Sequence, residues 1–345
     1  MVHLIRPPQR GTRYALFLPL AIGVVASDVT ESGVDTERLS VNANALLNDA
    51  GHIAHAGIGT LTLASQGAAG NSNGSVATNG TLSLTAASLA SRGGSPSAQG
   101  DATLDVRGAL DNSSGTVHAG NALNVAASGD ITNGGGSMDA AGAHAAVTVA
   151  GANVDNSGGR VANAGDGATG VSVSAALTNG TQGFIGGNGN VSLSAATLSN
   201  AGTVSAKGNT TLAAQGLNNN AGSVLASGDA TVTTAGAFTN RNGVFSAGGT
   251  GTVNAGSIDN TAGCQNGGQV PNSATNDNSN IEFLANVLRA FCTRSRLKND
   301  TSRFGLALDW LVERQIVLIV PKKLRSSQKK RISVMRCQIE DFPTR

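Results

Sequence analysis

Pairs of apolar residues two positions apart punctuate this chain: Leu61/Leu63, Leu82/Leu84, Leu104/Val106, Leu123/Val125, Val147/Val149, Val171/Val173 and Val191/Leu193. Alternation of period two predicts a strand with one buried face. Gly, Asn and Ser bracket each pair, and these are the residues of tight turns. A second signal keeps step with the first. An apolar residue is followed two positions later by Asn at Leu110–Asn112, Ile131–Asn133, Val154–Asn156, Leu177–Asn179, Leu198–Asn200, Leu217–Asn219, Phe238–Asn240 and Ile258–Asn260. Successive starts lie 21, 23, 23, 21, 19, 21 and 20 residues apart. Leu89, Ala68 and Leu46 carry the phase backwards, with Asn48 restoring the Asn, for about ten units over 46–258. Six or seven residues after each start comes another apolar position, such as Val117, Val161, Val204, Val224 and Val244.

A unit of about 21 residues with two or three short strands and tight turns is the right size for one coil of a parallel β-helix, or β-solenoid. One coil buries too few apolar side chains to offset the backbone entropy of ordering it. Stacked coils share backbone hydrogen bonds and cover each other's faces, so the unit must repeat. Equivalent residues then lie about 4.8 Å apart, and ten steps make a rod of roughly 50 Å. The Asn column Asn112, Asn133, Asn156, Asn179, Asn200, Asn219, Asn240 and Asn260 has a structural role in this scheme. Asn tolerates the left-handed backbone of tight turns. Its amide also donates and accepts, so stacked Asn side chains can bond along the axis. The residues leave both readings open.

Composition supports an extended stack. Gly numbers 47 of 345 residues, aromatics make up 3% and charged residues 13%, so no core built on large rings is expected. The net charge of +2 hides a segregation. Residues 41–264 hold 5 Lys/Arg against 10 Asp, about −5, whereas 265–345 hold 14 Lys/Arg against 7 Asp/Glu, about +7. This predicts four regions: a leader at 1–45, the β-helix repeats at 46–262, a polar linker at 263–280 and a basic C-terminal tail at 281–345. Arg6, Arg10 and Arg13 followed by "ALFLPLAIGVVA" read as a secretory signal within 1–27, too short to span a membrane. In the tail, Ile281, Leu284, Leu288 and Phe291 have helical spacing, so 281–297 reads as an amphipathic helix in a tail that is partly helical or disordered. The run 304–320 carries Asp309, Glu313 and Arg314 and makes a poor membrane span. The basic cluster from Lys322 to Arg331 has no nucleic-acid motif beside it, so nucleic acid is not favoured as a partner.

Candidate chemistry is sparse. "GDGATG" (Gly165, Gly167, Gly170) matches a dinucleotide pattern but falls in a turn between strands, without the βαβ context. "GNSNG" (Gly70–Gly74) matches a nucleophile elbow without a following helix or partners. "GGNGNVSL" from Gly186 resembles a calcium-binding nonapeptide once only, with Asn190 where Asp is wanted. Asp111, Asp155 and Asp259 recur at unit spacing and form either a weak acidic column or turn residues. His52 and His55 lack the further ligands a zinc site needs. Thr60/Thr62 and Thr231/Thr233 do not repeat at one register in every unit, which weakens an ice-binding reading. No catalytic, cofactor or metal residue is assigned, and the chain is expected not to be an enzyme.

The stretches "LDNSSGTVHAGNALNVAASG" (110–129), "LSNAGTVSAKGNTTLAAQG" (198–216) and "LNNNAGSVLASGDATVTTAG" (217–236) resemble the repeats of filamentous haemagglutinin-type adhesins. These are exoproteins of bacterial two-partner secretion, a group that includes contact-dependent inhibition proteins. The resemblance implies a right-handed parallel β-helix, export through an outer-membrane two-partner secretion transporter, and a surface rod that meets a receptor on a host or neighbouring cell. It also admits a second role, the stalk of a toxin-delivery protein with an effector remnant at 281–345. The NPN-type and VENN-type motifs of such proteins are not found, so the chain is expected to be a fragment or degenerate copy.

Overall fold

A computed structural model describes residues 38–266 and, before them, the strands Tyr14–Phe17, Val24–Val25 and Asp28–Glu31. Most of the signal-like run, and everything read into the linker beyond 266 and the tail, lie outside the described residues.

The coil spanning residues 71–90 shows the plan. A turn at Asn71–Gly74 leads into strand Ser75–Thr78. A tight turn follows, then the longer strand Thr81–Ala86, a corner, and the short strand Ser88–Ala90. Four-residue strands such as Ser75–Thr78 stack into a 12-stranded sheet. The long and short strands stack into a 20-stranded sheet, because in later coils they fuse, as in Val191–Asn200 and Ala230–Thr239. Pairings are parallel throughout, for example Leu61↔Leu82 and Leu82↔Ala102, so the fold is an all-β parallel solenoid. Its 12-stranded sheet contains eleven inter-coil steps.

The stacking begins N-terminal of residue 46. Arg38–Ala43 pairs in register with Thr60–Ser65, and Leu39 and Val41 are buried in line with Leu61 and Leu63. Tyr14–Phe17 pairs in turn with Leu39–Asn42. The apolar-x-Asn signal does not occur in that stretch, which is why the sequence pattern starts the repeat later.

The interior is a set of columns, one residue per coil. The most uniform runs Val41, Leu63, Leu84, Leu104, Val125, Val149, Val171, Leu193, Leu212, Val232 and Val253, all buried. Pleating sends alternate side chains outward, so the Leu-x-Leu alternation converts directly into one dry face per strand. The parallel column one strand over runs Ile53, Val76, Pro96, Val117, Met138, Val161, Ile185, Val204, Val224 and Phe245. Val244, an expected inward position, is instead half-exposed; Phe245 pairs with Val224 and is buried. Two adjacent apolar residues left the pattern without a choice, and the four-residue turn Asn240–Gly243 set the register. The Phe245 and Phe238 rings meet edge to face at 6.0 Å.

Candidate functional site

The most ordered polar feature is built from one turn repeated. Asn112 follows the short strand Leu110–Asp111, and the Gly115 N–H returns to the Asn112 carbonyl at 3.0 Å, closing an Asn-x-x-Gly turn. The third turn residue takes the left-handed backbone: Ala50, Asn73, Ser114, Ala221, Asn242 and Ala262, with Gly93, Gly135 and Gly158 in other coils. None of the column asparagines has positive φ among the described residues. Left-handed tolerance therefore does not account for the Asn, since the strained position lies two residues later.

The fourth residue is Gly for a different reason. A Cβ on Gly136 would overlap the carbonyl oxygen of Asn112 one coil back, and Gly159, Gly222, Gly243 and Gly263 meet the same obstacle at Asn133, Asn200, Asn219 and Asn240. The turn thus brings backbone against backbone, with the Asn side chain folded inward between successive coils.

There the amides join. Asn112 Nδ2 donates to Asn133 Oδ1 at 2.8 Å, Asn133 to Asn156 at 2.7 Å, Asn156 to Asn179 at 2.8 Å and Asn179 to Asn200 at 2.7 Å. The file continues from Asn200 to Asn219 and on to Asn240 at 2.6 Å each, and to Asn260 at 2.7 Å. The second amide hydrogen is used too. Asn156 Nδ2 also donates to the Phe184 carbonyl at 3.1 Å, and Asn219 to the Val244 carbonyl at 3.0 Å. Asn112 through Asn240 are at most 1% exposed, so these bonds form away from water. All eight expected positions stand in this one file.

The file also extends backwards through residues the sequence pattern missed or barely touched. Asn48 donates to Asn71 Oδ1 at 2.7 Å. Asn71 escaped notice because its apolar partner is Ala69, which pairs with Leu46 and Leu89; Ala68 is half a pleat out of phase. Ser91 then replaces Asn and accepts from Asn71 at 3.2 Å. A second file, on the exposed corner before the long strands, was also missed. Asn190 Oδ1 accepts from the Asn209 N–H, Asn209 Oδ1 from the Asp229 N–H and Asp229 Oδ1 from the Thr250 N–H, at 2.7–2.9 Å. Its signal in the sequence is the recurring Gly-Asn or Gly-Asp dipeptide ahead of the alternating pair.

The charged candidates sit outside. Asp111, Asp155 and Asp259 do not form an acidic column. Each accepts from its own turn: Asp111 Oδ1 from the Ser113 N–H and hydroxyl, Asp155 from Ser157, Asp259 from Thr261. Arg92 clasps Asp111 at 2.5 Å and Arg241 clasps Asp259 at 2.6 Å, each one coil on. Burial pushes the Asp111 carboxyl up, but the Ser113 bonds and Arg92 outweigh it and the net shift is downward. The Thr261 hydroxyl, its N–H and Arg241 lower Asp259 to about 2. His118 bonds Asp139 at 2.6 Å and His144 bonds Asp166 at 2.9 Å. His55 turns inward to Thr78 at 2.9 Å, while His52 is exposed. Among the described residues no group of three or more His, Cys, Asp or Glu is placed to hold a metal.

The pattern matches that mimicked cofactor motifs are turn material. Asn163 Oδ1 accepts from the Gly165 N–H and Asn163 Nδ2 donates to the Gly167 carbonyl, both at 2.8 Å, within "GDGATG". The Ser72 N–H of "GNSNG" donates to Asp49 at 2.7 Å. Asn190 of the nonapeptide-like stretch belongs to the second file.

Fold and turn together define a repeat protein, a parallel solenoid zipped internally by amides. The haemagglutinin repeat family matches at residues 34–73, 64–114, 112–165, 185–242 and 238–280. The chain belongs to that family, the filamentous haemagglutinin type. No curated protein and no solved structure matches it.

Proposed function

We propose that this chain serves as a non-enzymatic rod of a secreted or surface-held bacterial adhesin, spacing or mediating attachment to a host or neighbouring cell. Export through an outer-membrane two-partner secretion transporter goes with this reading, and a cell-surface receptor is the partner. The supporting observation is parallel pairing at each of eleven successive steps in one sheet. Backbone bonds and amide bonds both run along the axis, the direction in which a tether is pulled. At the strand spacing, eleven steps give a reach of roughly 50 Å. Outward strand positions such as Thr85, Thr148, Ser192 and Thr211 carry short polar side chains, which suits an extended contact surface better than a converging site.

The test is attachment. Beads coated with the full chain are expected to bind target cells above beads coated with an unrelated β-solenoid of equal length, and the same protein is expected to leave those cells viable. Equal binding by the two coatings would remove the adhesive role; loss of viability would favour the toxin-stalk alternative.

A further inference from the structure

The step between the coil that begins at Ser91 and the one that begins at Asn112 lacks two bonds that other steps have. The inner file is cut there. Ser91 is fully buried but too short to reach the next coil, and Asn112 Oδ1 is left buried with no hydrogen-bond partner. The second gap is in the 12-stranded sheet. Ser95–Ala98 pairs over four residues with Ser75–Thr78 behind it, yet with the strand ahead only at Ser97↔His118 and Ala98↔Ala119. In a parallel ladder successive residues send their N–H groups to opposite neighbours. The Ser95 N–H goes back to the Gly74 carbonyl, so position 96 faces forward, and Pro96 has no N–H to give. The two gaps lie on different sides of the coil and face the same step. What spans it on the outside is the Arg92–Asp111 pair, whose Arg92 side chain is 72% exposed, so the pair is weakly held in salt water.

We infer that the rod consists of two cooperative blocks, residues 38–110 and 111–266, and that it opens first at the step between them. Solenoids are sums of coil and interface terms, so the poorest interface sets where a break or bend starts. The step is a built-in compliance point: load, heat or salt loosens it while the stacks on either side stay zipped.

Hydrogen exchange on the full-length chain tests this amide by amide. The Ser91, Gly93, Thr116 and Gly120 N–H groups bond across the step. Their counterparts are Asn133, Gly135, Arg160 and Ala164 at a zipped step, and Asn48, Ala50, Ser75 and Asn79 at a zipped step nearer the N-terminus. The first set is expected to exchange about tenfold faster than both others, the factor for one net hydrogen bond. Ser91→Asn supplies the missing donor to Asn112, and Pro96→Val the missing N–H; each should slow the first set and the double variant should bring it level. Arg92→Gln should speed it further. Equal exchange in the three sets would overturn the inference. So would rates that simply rise toward Asn48, which is fraying from an end, or a folded Ser91→Asn protein whose exchange is unchanged.

Discussion

The inner and outer flanks of one turn obey different rules. Asn156 and Asp155 are adjacent, and both accept short hydrogen bonds. The Asn156 side chain is fully buried and bonds the coils before and behind it. The Asp155 side chain lies outside and, among the described residues, bonds Ser157 of its own turn. A bond made inside is worth its full desolvation penalty when lost, whereas water replaces one lost outside. The inner flank therefore carries most of the stacking, while the outer flank shapes the turn and adds between coils only exposed ion pairs such as Arg92–Asp111.

Changes to the interior should dominate any thermal or urea series. The largest loss is expected from Val204→Asp, which puts a carboxylate at a fully buried position with no partner and should cost about 3–5 kcal/mol. Lys207→Ala, three residues on and exposed, is the control and should stay within about 0.5 kcal/mol. Comparable shifts for the two would mean the inward register is misassigned. Asn156→Ala should come next, at about 1–3 kcal/mol, because it strips the donor from Asn179 Oδ1 and the acceptor from Asn133 Nδ2. Asp155→Ala beside it should cost distinctly less. If the two are equal, the inner file does not stabilise the stack. Gly159→Ala, pressed on the Asn133 carbonyl, should fall in a similar range of about 1–3 kcal/mol by overpacking, although its own φ is unremarkable.

Much of this was legible from residue order alone. Leu61/Leu63 and the later pairs gave both strand and inward face, because a buried column tolerates only apolar residues of similar size. The Asn file was legible as a column but not as a bond. Both candidate causes, turn geometry and stacking, place Asn at the same spacing, and only the backbone reveals that the third turn residue, such as Ser114 or Ala221, and not the column Asn, bears the left-handed strain. Asn71 was lost because Ala68 and Ala69 are indistinguishable by hydropathy, and Phe245 because Val244 precedes it. Inter-coil partners such as Arg92 and Asp111 are 19 residues apart and depend on coil lengths that range from 19 to 23 residues. No local pattern contains that information.

The smallest expected effect sharpens the outer half of the comparison. Asp111 and Asp259 titrate below an unfolded aspartate, Asp259 at about 2. A carboxyl whose pKa is lower when folded binds protons more readily unfolded, so its contribution is complete above the unfolded pKa near 4 and disappears as pH falls through the folded value. The midpoint for unfolding should hold steady from neutral pH down to about 4, then drop between about 4 and 2. Asp111→Asn with Asp259→Asn should flatten that drop while leaving the neutral-pH midpoint nearly unchanged, since exposed pairs contribute little in water. Added salt should weaken the Arg92 and Arg241 share but spare the Ser113 and Thr261 bonds, which are local and short. An acid drop of equal depth in the double variant would assign it to other carboxylates. A large loss at neutral pH would mean that the outer flank carries stacking energy after all.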